Sequence, residues 1–466
     1  VTAAPPPPRA AAADATIDDD ARANLLAEAA TAALWSLQMD ECERLANEAI
    51  ATAERAGSAN ALARALGVLS RRMNFAGRID ESRRCADRCL EAAGSDPEAQ
   101  RATPHLYAGM SWWPIDPIRS AATFQEGMLR AERLGIGWAM PVYLQAMVSA
   151  AFDSGQWDDA ITHYDTAREL LVEMDDLDEL SMEALVGVAR FFRNELPATR
   201  ASLARMLDTA SKPQARVGGE IYLRWLEALV ATHDGHRAEG ADLLLGISEL
   251  CDAIGVPHVQ LPFLADAVVW GLGTQHHERA VQRSEAAAQL ATLAGRPIHR
   301  ATALRCRAAV RNDHRDAMAA VEELRPTNHR FDLVLACEQA ALSAATDGRT
   351  ALARSSAEEG MGVAEQMGAG LLVRRLHSVL RAAGGGRGVK GPRQRPSHGW
   401  ESLTEMELQV VALVAEGLTN ARVAERLYVS RRTVETHLVH IYSKLALGSR
   451  RALIDEATAR GLALPR

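Results

Sequence analysis

The residues best suited to chemistry sit in one short run near the C-terminus, VSRRTVETHLVHIYSKL, residues 429–445. It opens on Arg431 and Arg432, then sets Thr433, Glu435, Thr436, Val439 and His440 along a helical spacing. Val434, Leu438, Ile441 and Leu445 recur at i, i+4, i+7 and i+11, which makes one apolar stripe for a core. Arg432, Glu435, Thr436, Val439, His440 and Ser443 fall on the opposite side. Val439 is informative because it is apolar in the middle of a polar face. A thymine methyl in the major groove of DNA would give it a partner, Glu435 can accept from a cytosine amino group, and Thr436 can reach a base edge or a methyl. Arg431, Arg432 and Thr433, in the first turn, can hold phosphate with help from the helix N-terminus. That chemistry is recognition of duplex DNA. An ordinary amphipathic helix with a solvated face would show the same spacing.

Positioning such a helix requires partners, and the surrounding sequence supplies them. Thr404 with Glu407 forms a capping box that starts a helix over 405–416, and Gly417 ends it. Asn420 is placed to cap a second helix that runs to about Leu427. Tyr428, Val429 and Ser430 form a tight turn, with Ser430 capping the third helix, and a fourth helix spans 449–460. Two short helices joined by a tight turn, the second led by positive charge, is the helix-turn-helix arrangement.

The segment 403–457 resembles the C-terminal DNA-binding domain of LuxR-family transcription regulators, through LTEMELQVVALVAEGLTN, VAERLYVS and RRTVETHLVHIYSKL. The resemblance implies that 431–445 is the recognition helix, with DNA contacts at Thr433, Glu435, Thr436, Val439 and Lys444. It also implies dimerisation through 449–460 on two-fold promoter sites. Recruitment of RNA polymerase would make such a protein an activator. Family members usually carry arginine where Met406 stands, often an acid where Arg422 stands, and frequently a basic residue where Glu435 stands. These departures bear on which DNA sequence is read.

Upstream, RAAGGGRGVKGPRQRPSHG at 381–399 carries five positive charges and no acid, and reads as a flexible basic linker. Lys390 has Val389 before it and Gly391 after it, so it does not make a phosphate-binding loop, which needs glycine before the lysine and Ser or Thr after.

Residues 21–380 read as TPR-like helical repeats. In SGQWDDAITHYDTARELL a turn at Gly155 precedes Trp157, Ala160, Tyr164 and Ala167, the signature of a second repeat helix. Turns recur at Met39, Gly77, Asp116, Gly155, Asn194, Gly235, Thr274, Asn312 and Gly348, at spacings of 36 to 41 residues. Five residues after seven of them stands a small residue: Ser82, Ala121, Ala160, Thr199, Gly240, Ala317 or Ala353. Each unit is a helical hairpin that buries its apolar face by stacking on its neighbours, so the expected fold is all-α, an α-solenoid followed by a four-helix domain at 400–466. A solenoid can receive a peptide, a protein or a small molecule. Trp112 and Trp113 interrupt the rhythm and either line such a site or pack an irregular turn. His163 and His258 read as core residues. Repeats followed by this terminal domain also resemble the C-terminal part of the large ATP-binding LuxR-type regulators, whose nucleotide-binding module has no counterpart in these residues. A solenoid scaffold whose terminal domain docks protein instead of DNA is the alternative.

Charge agrees with the division of labour. The chain carries net −8, of which the residues from Arg381 onward contribute +6 and the rest −14, so nucleic acid is drawn to the tail and repelled elsewhere. Three lysines stand against 49 arginines, as in a GC-rich bacterial genome. Six cysteines without a CxxC motif or secretory signal suit the cytoplasm. Cys85 and Cys89 share a helix face but lack further ligands at metal spacing. No metal cluster, nucleophile elbow or phosphate loop argues for an enzyme, and no cofactor is expected. No apolar run reaches membrane-spanning length. Residues 1–20 read as a disordered Pro/Ala-rich tail.

Overall fold

The computed structural model describes residues 17–171, 179–210, 217–383, 399–427, 429, 431–460 and 462. Every regular element among them is helical. In chain order the α-helices are α1 Asp19–Trp35, α2 Met39–Ala56, α3 Ala59–Phe75, α4 Ile79–Ala93, α5 Pro97–Gln100, α6 Pro104–Trp112, α7 Pro117–Arg133, α8 Ala139–Asp153, α9 Trp157–Leu171, α10 Glu179–Phe192, α11 Leu196–Ala210 and α12 Val217–His233. They continue as α13 Arg237–Ala253, α14 Leu261–Gly271, α15 His277–Ala294, α16 Pro297–Arg311, α17 His314–Leu324, α18 Arg330–Thr346, α19 Thr350–Gln366 and α20 Gly370–Ala382. The last four are α21 Glu405–Ala415, α22 Asn420–Leu427, α23 Arg431–Leu445 and α24 Arg450–Ala459. None is long and apolar enough to cross a membrane.

Most of the expected tail and linker lies outside the described residues, as do Lys212, Lys390, Tyr428 and Ser430. Where their edges are described, the helices extend further than expected. Asp19 and Asp20, assigned to the tail, form the first turn of α1, and the Asp18 side chain caps it by accepting from the backbone N of Ala21 at 2.7 Å. Arg381 and Ala382, assigned to the linker, complete α20.

Consecutive helices pack as antiparallel hairpins, and the turns fall where the sequence placed most of them. Gly77, Gly155, Asn194, Gly235, Asn312 and Gly348 all have φ between 51° and 93°, the left-handed region that lets a helix stop and the chain reverse. Leu37 takes that role in place of Met39, and Gly273 in place of Thr274. Asp116 is different in kind. Its φ is −153°, and its side chain accepts from the backbone N of Ile118 and Arg119, because Pro117 starts α7 and leaves the first turn to be capped from outside. That shifts the register by one: Ser120 is buried, while Ala121 is only partly so. The other six small residues of the repeat are buried as read.

The helices form two compact units, one from residues up to 139 with 231–328, the other from 140–230 with 329 onward. In the first, Leu290 lies over Gly77, Arg296 pairs with Asp80, and Asn328 donates to Asp116 at 3.0 Å. Trp112 is sandwiched between the guanidinium groups of Arg83 at 4.1 Å and Arg119 at 3.5 Å, so this tryptophan packs the irregular turn. His258 is buried with its Nδ1 3.1 Å from Nε2 of His299.

The second unit is built on aromatic rings. Phe331 of α18 sits 5.0 Å from Phe152, 5.2 Å from Phe192, 6.0 Å from Trp157 and 6.2 Å from Trp225, all centroid to centroid. A chain with only 5 % aromatics thus concentrates large rings at one place. This cluster anchors α9 from one side, through Trp157, Ala160, Tyr164 and Ala167, all at most 3 % exposed.

Candidate nucleic-acid interface

Four helices, α21 to α24, close a core of their own around Val410, Val414, Val423, Val434, Leu438, Ile441, Leu453 and Ala457. The capping box is present: Glu407 N donates to Thr404 Oγ1 at 3.0 Å, and Thr404 N donates to Glu407 Oε2 at 2.8 Å. Gly417 follows α21 with φ 84°. At the next helix the expectation needs correcting. Asn420 is the first residue of α22, and Thr419 caps it by accepting from Arg422 N at 3.4 Å. The Asn420 side chain instead accepts from Arg450 at 2.7 Å, which ties α22 to the start of α24. Ser449 caps α24 by accepting from Ala452 N at 3.2 Å.

Within α23 the apolar stripe is buried at Val434, Leu438 and Ile441 and half-buried at Leu445. The eight expected contact residues divide three ways. Arg431, Arg432 and Val439 are exposed, Val439 by 63 % despite its apolar side chain. Glu435, His440 and Lys444 are half-buried, and Thr433 and Thr436 are buried.

Each charged member has a protein partner. Arg431 Nε lies 2.9 Å from Glu435, one helical turn on. Lys444 Nζ lies 2.8 and 2.9 Å from the two carboxylate oxygens of Glu407, whose side chain is 2 % exposed. Lys444 therefore neutralises the buried acid that caps α21, a positioning role that spacing within α23 could not reveal.

The remaining partners come from α9. Thr166 donates to Thr436 Oγ1 at 2.9 Å, and Thr162 Oγ1 lies 3.2 Å from His440 Nδ1. Asp165 stands 3.4 Å from His440 Nε2, Glu169 pairs with Arg432, and Asp158 stands 4.0 Å from Lys444 and 2.6 Å from Arg193. Asp158, Thr162, Asp165 and Glu169 recur at i, i+4, i+7 and i+11, the face of α9 opposite its aromatic anchor. Sequence reading used α9 only for its buried repeat positions and missed this second face, though its spacing and acidity were legible. Beside the contact lies an open cleft of about 340 Å³, lined by residues of both helices including Arg168, Glu435 and Val439.

Two histidines are buried here without a partner at Nδ1, His163 on α9 and His437 on α23. Burial holds the imidazole of His163 down to about 4. His437 is held down to about 3, chiefly by burial and then by the nearby positive potential of His163, His440 and Lys444, with Asp158 opposing.

Residues 401–457 match the profile of the bacterial regulatory proteins of the luxR family. An HTH-type transcriptional regulator of Mycobacterium bovis and one of Mycobacterium tuberculosis are each 58 % identical to this chain over 72 residues, 16 % of this chain and 8 % of theirs. The transcriptional regulatory protein LiaR of Bacillus subtilis is 46 % identical over 50 residues, 11 % of this chain and 24 % of that one. The chain thus spans less than a tenth of the mycobacterial relatives and about a quarter of LiaR.

Proposed function

Starting from a LuxR-type helix-turn-helix domain at the C-terminus, we propose that the chain is a transcription regulator that binds promoter DNA through α23. The observation that carries this reading is the exposed apolar Val439, flanked by Arg432 and Ser443 on a helix whose opposite stripe is buried. A major groove offers thymine methyls to such a side chain. Arg431 and Arg432 hold phosphate, and Glu435, Thr436, Val439 and His440 face base edges. Two copies pair through α24 on a two-fold site. The helical repeats receive a peptide, protein or small molecule and pass its presence on. The regulator works in the bacterial cytoplasm, activates by engaging RNA polymerase, and is not an enzyme.

Selection from random duplex DNA tests this, run on the whole chain and on residues 399–466, which close their own core. Enrichment of a two-fold symmetric site by the short form supports the reading, and failure by both folded proteins removes it. A scaffold is the second reading. It is favoured by the contact of Thr436 with a protein helix. For a scaffold, neither the whole chain nor residues 399–466 retains any duplex.

A further inference from the structure

On the strength of the DNA-binding reading, we infer that α9 is a built-in inhibitor of α23: it occupies part of the DNA-reading face, so that promoter DNA and α9 compete for the same residues. Three features of the structure support this. First, the contact is made by the residues that would meet DNA. Thr436, His440, Arg432 and Lys444 all face α9, and Thr436 is only 8 % exposed because of its surroundings.

Second, the chemistry of α9 copies that of a nucleic-acid backbone. Asp158, Asp165 and Glu169 present carboxylates to Lys444, His440 and Arg432, and Arg432 is a cation that a phosphate would engage. Thr162 and Thr166 offer hydroxyls between them, where base edges and sugar would offer polar atoms.

Third, the two occupants exclude each other sterically. A helix seated in the major groove is flanked by groove walls about 12 Å apart. With side chains α9 is itself about 10–12 Å across, and its hydroxyl lies at hydrogen-bond distance from Thr436. No duplex can enter on that side until α9 leaves.

The contact is also poised to open. It is made through hydrogen bonds and ion pairs, with Arg432 and Glu169 about half exposed and Val439 left uncovered at its edge. Ion pairs of this kind are worth little against water, so a modest signal to the repeats suffices to separate the helices. The aromatic anchor on the far face of α9 joins it to α8, α10, α12 and α18, so a change in that packing is felt at the contact.

The experiment uses the whole chain and the duplex recovered in the selection above, with binding read by fluorescence anisotropy at fixed salt. Asp165→Ala with Glu169→Ala removes two carboxylates without adding a cation, so no new phosphate contact can arise. It should bind about tenfold more tightly than the unaltered chain. Thr166→Cys with Thr436→Cys places one thiol on each side of the contact, where hydroxyls are now 2.9 Å apart, and closure of the disulfide is checked by mass. Oxidised, that chain should bind the duplex more weakly than the same chain after reduction, the two sharing the altered Thr436. Equal affinity of the unaltered and Asp165/Glu169 chains would overturn the inference. So would a disulfide-closed chain that binds as the reduced one does. If neither the freed chain nor residues 399–466 binds any duplex, the DNA-binding reading itself fails, and this inference with it.

Discussion

At the residue scale, two buried histidines give the α9–α23 contact a pH dependence. His163 and His437 have folded values near 4 and 3, below the ordinary 6.5 of a free imidazole. Above pH 6.5 both are neutral in either state, and their full contribution is present. As pH falls below 6.5, the unfolded chain takes up protons that the folded one refuses, so stability is lost progressively toward pH 4 for His163 and pH 3 for His437. The whole chain should therefore melt at a lower temperature at pH 5.5 than at pH 7.5. His163→Asn should narrow that difference, since it removes one of the two groups. A melting temperature that is unchanged between the two pH values would contradict the burial of these rings. Nothing in the sequence distinguishes His163 from an ordinary core histidine. Its proximity to His437 follows from a contact between residues more than 270 positions apart, which periodicity cannot see.

At the element scale, α21 depends on a residue carried by α23. Glu407 is buried, closes the capping box with Thr404, and is neutralised by Lys444. Lys444→Ala leaves that carboxylate buried without its cation and should destabilise the terminal domain by about 3 kcal/mol. Thr404→Ala removes only the cap and should cost about 1 kcal/mol. Thermal or urea denaturation of residues 399–466 orders the two variants, and equal or reversed losses would remove the positioning role assigned to Lys444. The helix boundaries here were readable in advance because caps are local: Thr404, Glu407, Gly417 and Ser449 act within three or four residues of themselves. Asn420 shows the limit of that reading. Thr419 and Asn420 are both suitable caps, and the choice between them was made by Arg450, which recruits the Asn420 side chain from a helix 30 residues on.

At the scale of the whole molecule, the repeat register was legible because left-handed turns demand particular residues at regular intervals. The site was legible as a set of residues on one face of α23. Its covering was not, because α9 reads as a repeat helix and its acidic stripe as a solvated face. The central claim is that α23 recognises DNA by two separable sets of residues, one for phosphate and one for bases. The most direct test is to measure affinity for the selected duplex and its single-base variants across a salt series. The proteins are the chain freed by Asp165→Ala with Glu169→Ala, and the same chain carrying either Arg431→Ala with Arg432→Ala or Thr436→Ala with Val439→Ala. The arginine pair should weaken binding to every duplex alike and reduce the salt slope by roughly one unit per lost phosphate contact. The Thr436 and Val439 pair should leave the slope alone and change which bases are preferred, by about 1–3 kcal/mol per affected base pair. Identical effects of the two pairs, or no dependence on sequence in any of these chains, would contradict it.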